Sequence, residues 1–565
     1  MKSKLLTGFI ISLFILFSMS LNAESTKKWT IMVYCCADNN LDMAGVNDLN
    51  ELELSGSDEN INIIYLLDRW GVDDTHLYYV THDSSGLPAG DDNNIISPII
   101  DNQAGWLASE EDMGNPETLQ DFLVWSIQNY PAEHYLLSIW DHGSGIFKSG
   151  DGFIMKGECW DDNGGNPDDY IDLAEFKQVM ASGRAAAGKK IDIVGHDVCL
   201  GGQFETHYQA RYSADISIAS PDNEPFDGWD YEGPFVNLKS NPDMTPRELA
   251  GQIVQFYYEW YGQDVGCCNT QAAVDLNVMV DHFMPAFDSF NSVLSNHFNE
   301  HDSIIKIERR NSPSYSTPNY ELYNFAQALA INQSLPSEVR SVALNLVDAI
   351  DSSFINSKTA NYTEGYGCTI WFPKNYSAHS DIDQYETQVD LSRTSWRNFL
   401  KVFAGEMVIV TDSAISGKVR RDYSQSFCAT NGELPLTWER IAGQLPYGLS
   451  LQFGDTLTLS GQPTYATSYT FSLKVTDSSN PPRIDTRTYT VIIGEPDPYP
   501  GDCDGSGVIN TTDPVYLINF IFNDGPSPYP LANGDSDCDG KVNLVDVIYL
   551  INYIFRGGNP PCVLN

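Results

Sequence analysis

The chain has 565 residues, with 32 basic and 76 acidic side chains and a formal net charge of −44. That length exceeds what one hydrophobic core supports and predicts two to four domains of roughly 100–200 residues each. Hydrophobic residues at 42% and aromatics at 12% exclude a disordered acidic chain. The acidity excludes nucleic acid as the main partner, because phosphates require a basic footprint.

Lys2 and Lys4 precede an apolar run from Leu5 to Phe17 and a small residue at Ala23, which reads as a secretory signal over residues 1–23. No later apolar run reaches the roughly 20 residues that span a bilayer. The expectation is a secreted, extracellular protein with no membrane span. An odd total of 11 cysteines leaves at least one thiol unpaired. Cys35-Cys36 and Cys267-Cys268 sit inside apolar segments and read as small buried hydrophobes.

From residue 28 to 403, short apolar runs alternate with amphipathic stretches. Trp29–Tyr34, Ile61–Leu67, Tyr135–Trp140, Ile191–Val194, Ile216–Ala219 and Thr369–Phe372 predict buried strands. Pro116–Gln128, Leu173–Arg184, Arg247–Tyr261 and Ser337–Ile355 predict helices between them. This order implies an α/β domain with a mostly parallel sheet covered by helices on both faces, which binds ligands at the carboxyl ends of its strands. Over 408–494 the period changes to alternation, as in Tyr469, Phe471, Leu473 and Val475, which predicts a β-sandwich. Residues 495–500 form a Pro-rich linker.

Residues 501–562 contain a repeat: Val515–Phe522 recurs as Ile548–Phe555, and an aspartate cluster precedes each copy. Asp502, Asp504, Ser506, Asn510 and Asp513 stand at positions one, three, five, nine and twelve of an EF-hand-type loop, with Gly507 at six. Asp535, Asp537, Asp539, Asn543 and Asp546, with Gly540, repeat that spacing. Calcium takes six to eight oxygens and needs the glycine turn, so both loops predict Ca2+ sites. A calcium loop followed by one apolar helix, twice, resembles a type I dockerin. The resemblance implies a cohesin-type partner. The positions that choose the partner in that family are Thr511-Thr512 in one copy and Leu544-Val545 in the other, so the two faces are not equivalent. Cys503, Cys538 and Cys562 leave the pairing of any disulfide open.

Two strand ends of the α/β region carry reactive side chains: Trp140-Asp141-His142-Gly143-Ser144-Gly145 and His196-Asp197-Val198-Cys199-Leu200. A thiol nucleophile needs an imidazole to take its proton and backbone N–H groups for the oxyanion. His142 and Cys199 fit those roles. His196 and His207 compete, but alternation turns His196 away from Cys199 and brings Asp197 to the same face.

These blocks, together with Trp29–Tyr34, Ala37–Leu41, Met113–Leu119, Glu224–Tyr231 and Ala273–Leu276, resemble the clostripain family of cysteine peptidases in the caspase-like clan. The resemblance implies Cys199 as nucleophile, His142 as general acid–base, and the amides of Gly143 and Cys199 as oxyanion hole. It also implies cleavage after Arg or Lys, with Asp197, and less directly Asp227, binding the basic side chain. Self-processing at Lys156 or Lys148 is a further implication. The family often depends on calcium, which leaves open a further site in the catalytic domain. Asp161-Asp162 and Asp168-Asp169 read there as a solvated loop. Two rivals remain at this stage: a non-catalytic adhesion or scaffold component with a peptidase-like fold, and a caspase-like peptidase of different specificity.

Overall fold

The computed structural model describes residues 26–85, 95–146, 157–161, 169–262, 269–359, 365–380, 382–411 and 413–562. Residues 1–23, Lys148, Lys156, Asp162, Asp168, Cys267 and Cys268 lie outside them. Chain contacts divide the protein into two compact units, one of residues up to 277 with 353–368, the other of 278–352 with the chain from 369 onward.

The first unit is built on strands β1 (Lys27–Cys36), β2 (Ile61–Asp68), β3 (His76–Tyr79), β4 (Ala132–Trp140), β5 (Ile191–Asp197), β6 (Ala214–Ala219) and β7 (Thr270–Asp275). In the second unit, β8 (Asn319–Glu321) is a short strand; β9 (Phe354–Thr359) returns to the first. The main sheet has eight strands in the order β3-β2-β1-β4-β5-β6-β7-β9. Its centre, β2-β1-β4-β5-β6, is parallel throughout; at the edges β3 pairs antiparallel with β2, β7 with β6, and β9 with β7, so that β9 again runs with the central strands.

Helices α1 (Asp42–Ser55), α2 (Pro116–Asn129), α3 (Leu173–Ala187), α4 (Phe204–Ala210), α5 (Gly233–Ser240) and α6 (Pro246–Tyr261) cover the sheet. α1, α5 and α6 pack on one face, and α2, α3 and α4 on the other. Local sequence explains where several of them start. Asp172 and Glu175 form a capping box at α3, and Thr245 and Glu248 do so at α6, where Pro246 occupies the first turn. Strand alternation divides the core. Trp29, Ile31, Val33 and Cys35 of β1 join the cluster under α1, α5 and α6, while Tyr34 turns to Phe122 of α2.

The sheet is thus mostly parallel, as expected, with antiparallel pairings added at its edges. Three of its strands, β3, β7 and β9, carry no strong strand signal; β9 reads Phe-Ile-Asn-Ser-Lys-Thr and is only half-buried at an edge. The predicted helix at 337–355 ends at Ser353, and its last residues open β9. Thr369–Phe372 is not part of the main sheet. As β10 (Thr369–Trp371) it pairs with β8 in a two-stranded sheet of the second unit.

In the second unit, the residues over 408–494 form the expected sandwich. One sheet joins strands 417–418, 484–494, 467–476 and 437–443; the other joins 423–427, 457–461 and 449–452. Tyr469, Phe471, Leu473 and Val475 point into its core with Phe427, Trp438 and Tyr489. The sandwich is tied to the helix Ser395–Phe403 by Lys401, whose Nζ lies 2.6 Å from Asp485 Oδ1. Both side chains are buried, and Asp485 also accepts from the Ile409 amide at 2.8 Å. Among the described residues, no helix is long and apolar enough to cross a membrane.

Removing one partner of a buried pair leaves the other charge uncompensated, at a cost of about 3–5 kcal/mol. Asp485→Ala is expected to destabilise the second unit by about that amount in denaturant titrations. Glu439→Ala, which breaks the half-exposed contact with Lys474, should cost under about 1 kcal/mol. Equal effects would contradict the burial argument.

Candidate active site

The parallel register of β4 and β5 sets the site. Trp140 stands opposite Asp197, so His142 and Cys199 lie equally far past the ends of neighbouring strands. Adjacent strands are about 4.8 Å apart, and the two side chains line one cavity of about 200 Å³ with Asn40, Asp197 and Glu224. Gly143 is required there: a Cβ would lie 2.2 Å from the Cys199 carbonyl oxygen.

His142 Nε2 lies 3.0 Å from Asn40 Oδ1. An amide oxygen only accepts, so this contact selects the tautomer protonated at Nε2 and makes Nδ1 the basic nitrogen. Asn40 belongs to the loop after β1, and its neighbour Asn39 donates to Asp141 Oδ1 at 2.8 Å. The Cys199 sulfur accepts from the Glu224 amide at 3.2 Å. Burial pushes the Cys199 thiol up, against the lowering effect of the Glu224 and Gly143 amides. The resting sulfur is therefore a thiol, and its proton must leave as it attacks.

Asp197 is buried, and its Oδ2 accepts from the Trp229 amide at 3.2 Å and the Tyr231 hydroxyl at 2.9 Å. Burial raises its carboxyl to about 6 even though hydrogen bonds from Glu224, Trp229 and Tyr231 pull it down. The Glu224 carboxyl is held well above the usual range by burial and by Asp197. The two acids thus share a proton, Glu224 keeping it and Asp197 ionising first. Gly228 opens the wall over Asp197, since a Cβ there would come within 3.1 Å of both carboxylate oxygens.

Asp227 is exposed and does not line the cavity. The loop brings Glu224 to the wall in its place. His196 faces the other side of the sheet, with Nδ1 2.9 Å from Glu158 Oε1, and buried His207 bonds Ser217. Asn40 and Glu224 both lie in blocks visible in the sequence, but only their contacts distinguish them from neighbouring polar residues. Asp161 is fully buried, not part of a solvated loop, and comes within reach of Asp38 and Asp68.

The C-terminal loops repeat their geometry as they repeat their sequence. The Gly507 amide donates to Asp502 Oδ2 at 3.0 Å and the Gly540 amide to Asp535 Oδ2 at 2.9 Å. Both glycines have φ +83°. Asp502, Asp504 and Asp513 converge in the first loop, and Asp535, Asp537 and Asp539 in the second. All-oxygen donors on a tight loop fit calcium. Cys538 pairs with Cys562, and Cys503 is a buried free thiol.

The clostripain family (peptidase C11) model matches residues 33–403, a putative Ig domain model 406–494, and a dockerin type I domain model 500–555. Clostripain from Hathewaya histolytica is 30% identical over 237 residues, 39% of this chain and 44% of that protein. The match thus spans less than half of this relative's length. A secreted C11 cysteine protease from Bacteroides thetaiotaomicron, solved with an irreversible peptide inhibitor, aligns at 18% identity and TM-score 0.46 over 66% of this chain and 99% of its own. An inactive zymogen C11 protease from Parabacteroides distasonis aligns at 15% and 0.46 over 65% and 98%.

A raised thiol is alkylated only as the solution becomes more alkaline. Iodoacetamide labelling of Cys199, read peptide by peptide in a mass spectrometer, should level off at higher pH than that of N-acetylcysteine. A midpoint at or below the free amino acid's would contradict the burial argument.

Proposed function

Since the chain belongs to the clostripain family of cysteine peptidases, we propose that it is an endopeptidase cutting after Arg or Lys, with Cys199 and His142 as its reacting pair. The observation that carries this is the shared β4–β5 register, which sets both side chains on one cavity with Asp197 in its wall.

The chemistry follows from the atoms present. Nδ1 of His142 takes the Sγ proton as sulfur attacks the scissile carbonyl carbon, and the C=O electrons move to oxygen. The amides of Gly143 and Cys199 hold that oxyanion. The imidazolium then protonates the departing amine, the C–N bond breaks, and a thioester remains. Water, losing its proton to His142, attacks the thioester and releases the acid and the thiol. Asn40 keeps the ring in the working tautomer throughout.

For specificity, a guanidinium or ammonium displaces the proton shared by Asp197 and Glu224 and pairs with the ionised acids. The remaining organisation in this reading is a secretory signal over 1–23, the peptidase domain over 28–403, the sandwich over 408–494, the linker over 495–500 and the dockerin over 501–562. The two dockerin loops hold Ca2+ through Asp502, Asp504, Ser506, Asn510 and Asp513, and through Asp535, Asp537, Asp539, Asn543 and Asp546. A cohesin-type module outside the cell is the partner. Exposed Leu544, Val545 and Ile548 on the second helix, against Thr511 and Thr512 on the first, support unequal docking faces.

Purified protein should hydrolyse an arginyl or lysyl reporter peptide, and Cys199→Ala should lower kcat/KM at least about a thousandfold. Absence of thiol-dependent hydrolysis favours the non-catalytic rival. The acid pair adds a pH signature. A cationic substrate needs ionised Asp197, whose carboxyl sits at about 6, so affinity holds above that pH and is lost as pH falls through it. KM should climb below about pH 6 in the wild type. Asp197→Asn should flatten that rise and cost roughly 2–5 kcal/mol in kcat/KM for basic substrates. An unchanged profile in the variant would assign the specificity elsewhere.

A further inference from the structure

In the second unit, the long helix Met284–Asn311 carries a cluster with no part in the reaction derived above. Its buried stripe runs through Phe287, Phe290, Leu294, Phe298 and Ile305. That is the spacing of three and four which turns one helix face to a core. Past Phe298 the same spacing calls for an apolar residue at 301 or 302, and the chain places His301 and Asp302 there, both half-buried. The backbone leaves helical geometry at His301, with φ −128° and ψ 16°. Packing of an apolar face does not call for an imidazole at this point.

What gathers around His301 is a set of metal donors. His297 stands four residues before it, and Glu300 three residues after His297, so all three share one side of the helix. One ring nitrogen of each histidine and one oxygen of Glu300 lie within 4.8 Å of one another. The two ring centroids are 6.4 Å apart, and the rings are tilted by 38° rather than stacked. A further donor comes from the first turn of the helix Ser337–Ser353, where Glu338 Oε2 lies 3.2 Å from His297 Nε2. As a bare half-exposed pair this contact is worth little. Asp302 stays outside the set, because Lys306 holds it at 2.9 Å.

We propose that His297, Glu300 and His301 bind a zinc ion, with Glu338 as a fourth ligand that joins the two helices. Calcium and magnesium take oxygen donors, whereas two imidazoles with carboxylates suit zinc. Four protein ligands complete the tetrahedron of a structural site and leave no open position for a reacting water. The two carboxylates balance the charge of the ion, and neutral imidazoles add none, so the filled site carries no net charge.

The position gives the ion a task. Phe298, between the two histidines, packs edge-on against Phe399 and tilted against Phe403 of the helix Ser395–Phe403. An ion held by the residues on both sides of Phe298 fixes the long helix where its backbone departs from regularity. Through Glu338 it fastens that stretch to the helix Ser337–Ser353. The site rests on none of the peptidase chemistry.

The test measures zinc on the full chain carrying Cys199→Ala, which removes the thiol of the reacting pair, in excess calcium to saturate the C-terminal loops. Equilibrium dialysis with elemental analysis should find one zinc more per chain than in the same protein with His301→Ala. His297→Gln should lose the same ion, which keeps the test decisive should the first variant fail to fold, as judged by circular dichroism. Glu338→Gln should keep the ion but weaken its binding at least about tenfold. Zinc should also raise the thermal midpoint of the parent protein and leave that of His301→Ala in place. Equal zinc in the parent and the folded histidine variants overturns the site, as does a parent that takes up none. An affinity unaltered in Glu338→Gln overturns the link between the helices.

Discussion

Everything at the centre depends on one pairing, Trp140 against Asp197 in adjacent parallel strands. Because side chains alternate, a slip of one residue would turn Asp197 and Cys199 to the far face and bring His196 forward. That register is held by the residues beneath it. Gly195 lies where a Cβ would meet the Trp229 ring at 2.4 Å, so the ring seats against bare backbone. Trp229 in turn gives its amide to Asp197. The core residue that fixes the strand also orients the buried acid at its end.

Buried carboxyls are the second theme, and they gather on both faces of the same sheet edge. On one face are Asp197 and Glu224, with Asp48 and Glu51 of α1 behind them. Burial lifts Asp48 well above the usual range and Glu51 to about 8. On the other face are Asp38, Asp68 and Asp161. Such groups weaken a fold unless a positive charge arrives. A cation reaching either cluster would relieve that cost. The stability given up in the empty state becomes selectivity for what fills it.

Much of this was legible in the chain alone. The parallel strands were visible because strands buried on both faces are continuous runs of Ile, Val, Leu and Tyr. The sandwich showed its alternation, and the duplicated loops showed their spacing. The strands at the edges were not visible, because a half-buried segment such as Phe354–Thr359 needs no apolar run. His142, Cys199 and Asp197 stood at the ends of obvious strands, where site residues are sought. Glu224 and Asn40 did not stand out, since their importance lies in what they face. Asp161 was misread for the same reason: an acid among other acids looks solvated until the chain is folded over it. Asp227 marks the converse limit, for three residues along a loop separate a cavity wall from open water.

The two C-terminal loops are near copies in sequence and hydrogen bonding, yet only one is stapled. Cys538 sits between Asp537 and Asp539 and is bonded to Cys562, 24 residues on. A covalent closure limits how far a segment can expand once its stabilising ligand leaves. Loss of metal would therefore leave the first loop free to open and the second held near its bound shape. Duplication supplies two similar grips, and one sulfur–sulfur bond makes them unequal in time. With an ion in each, the first would let go more readily than the second.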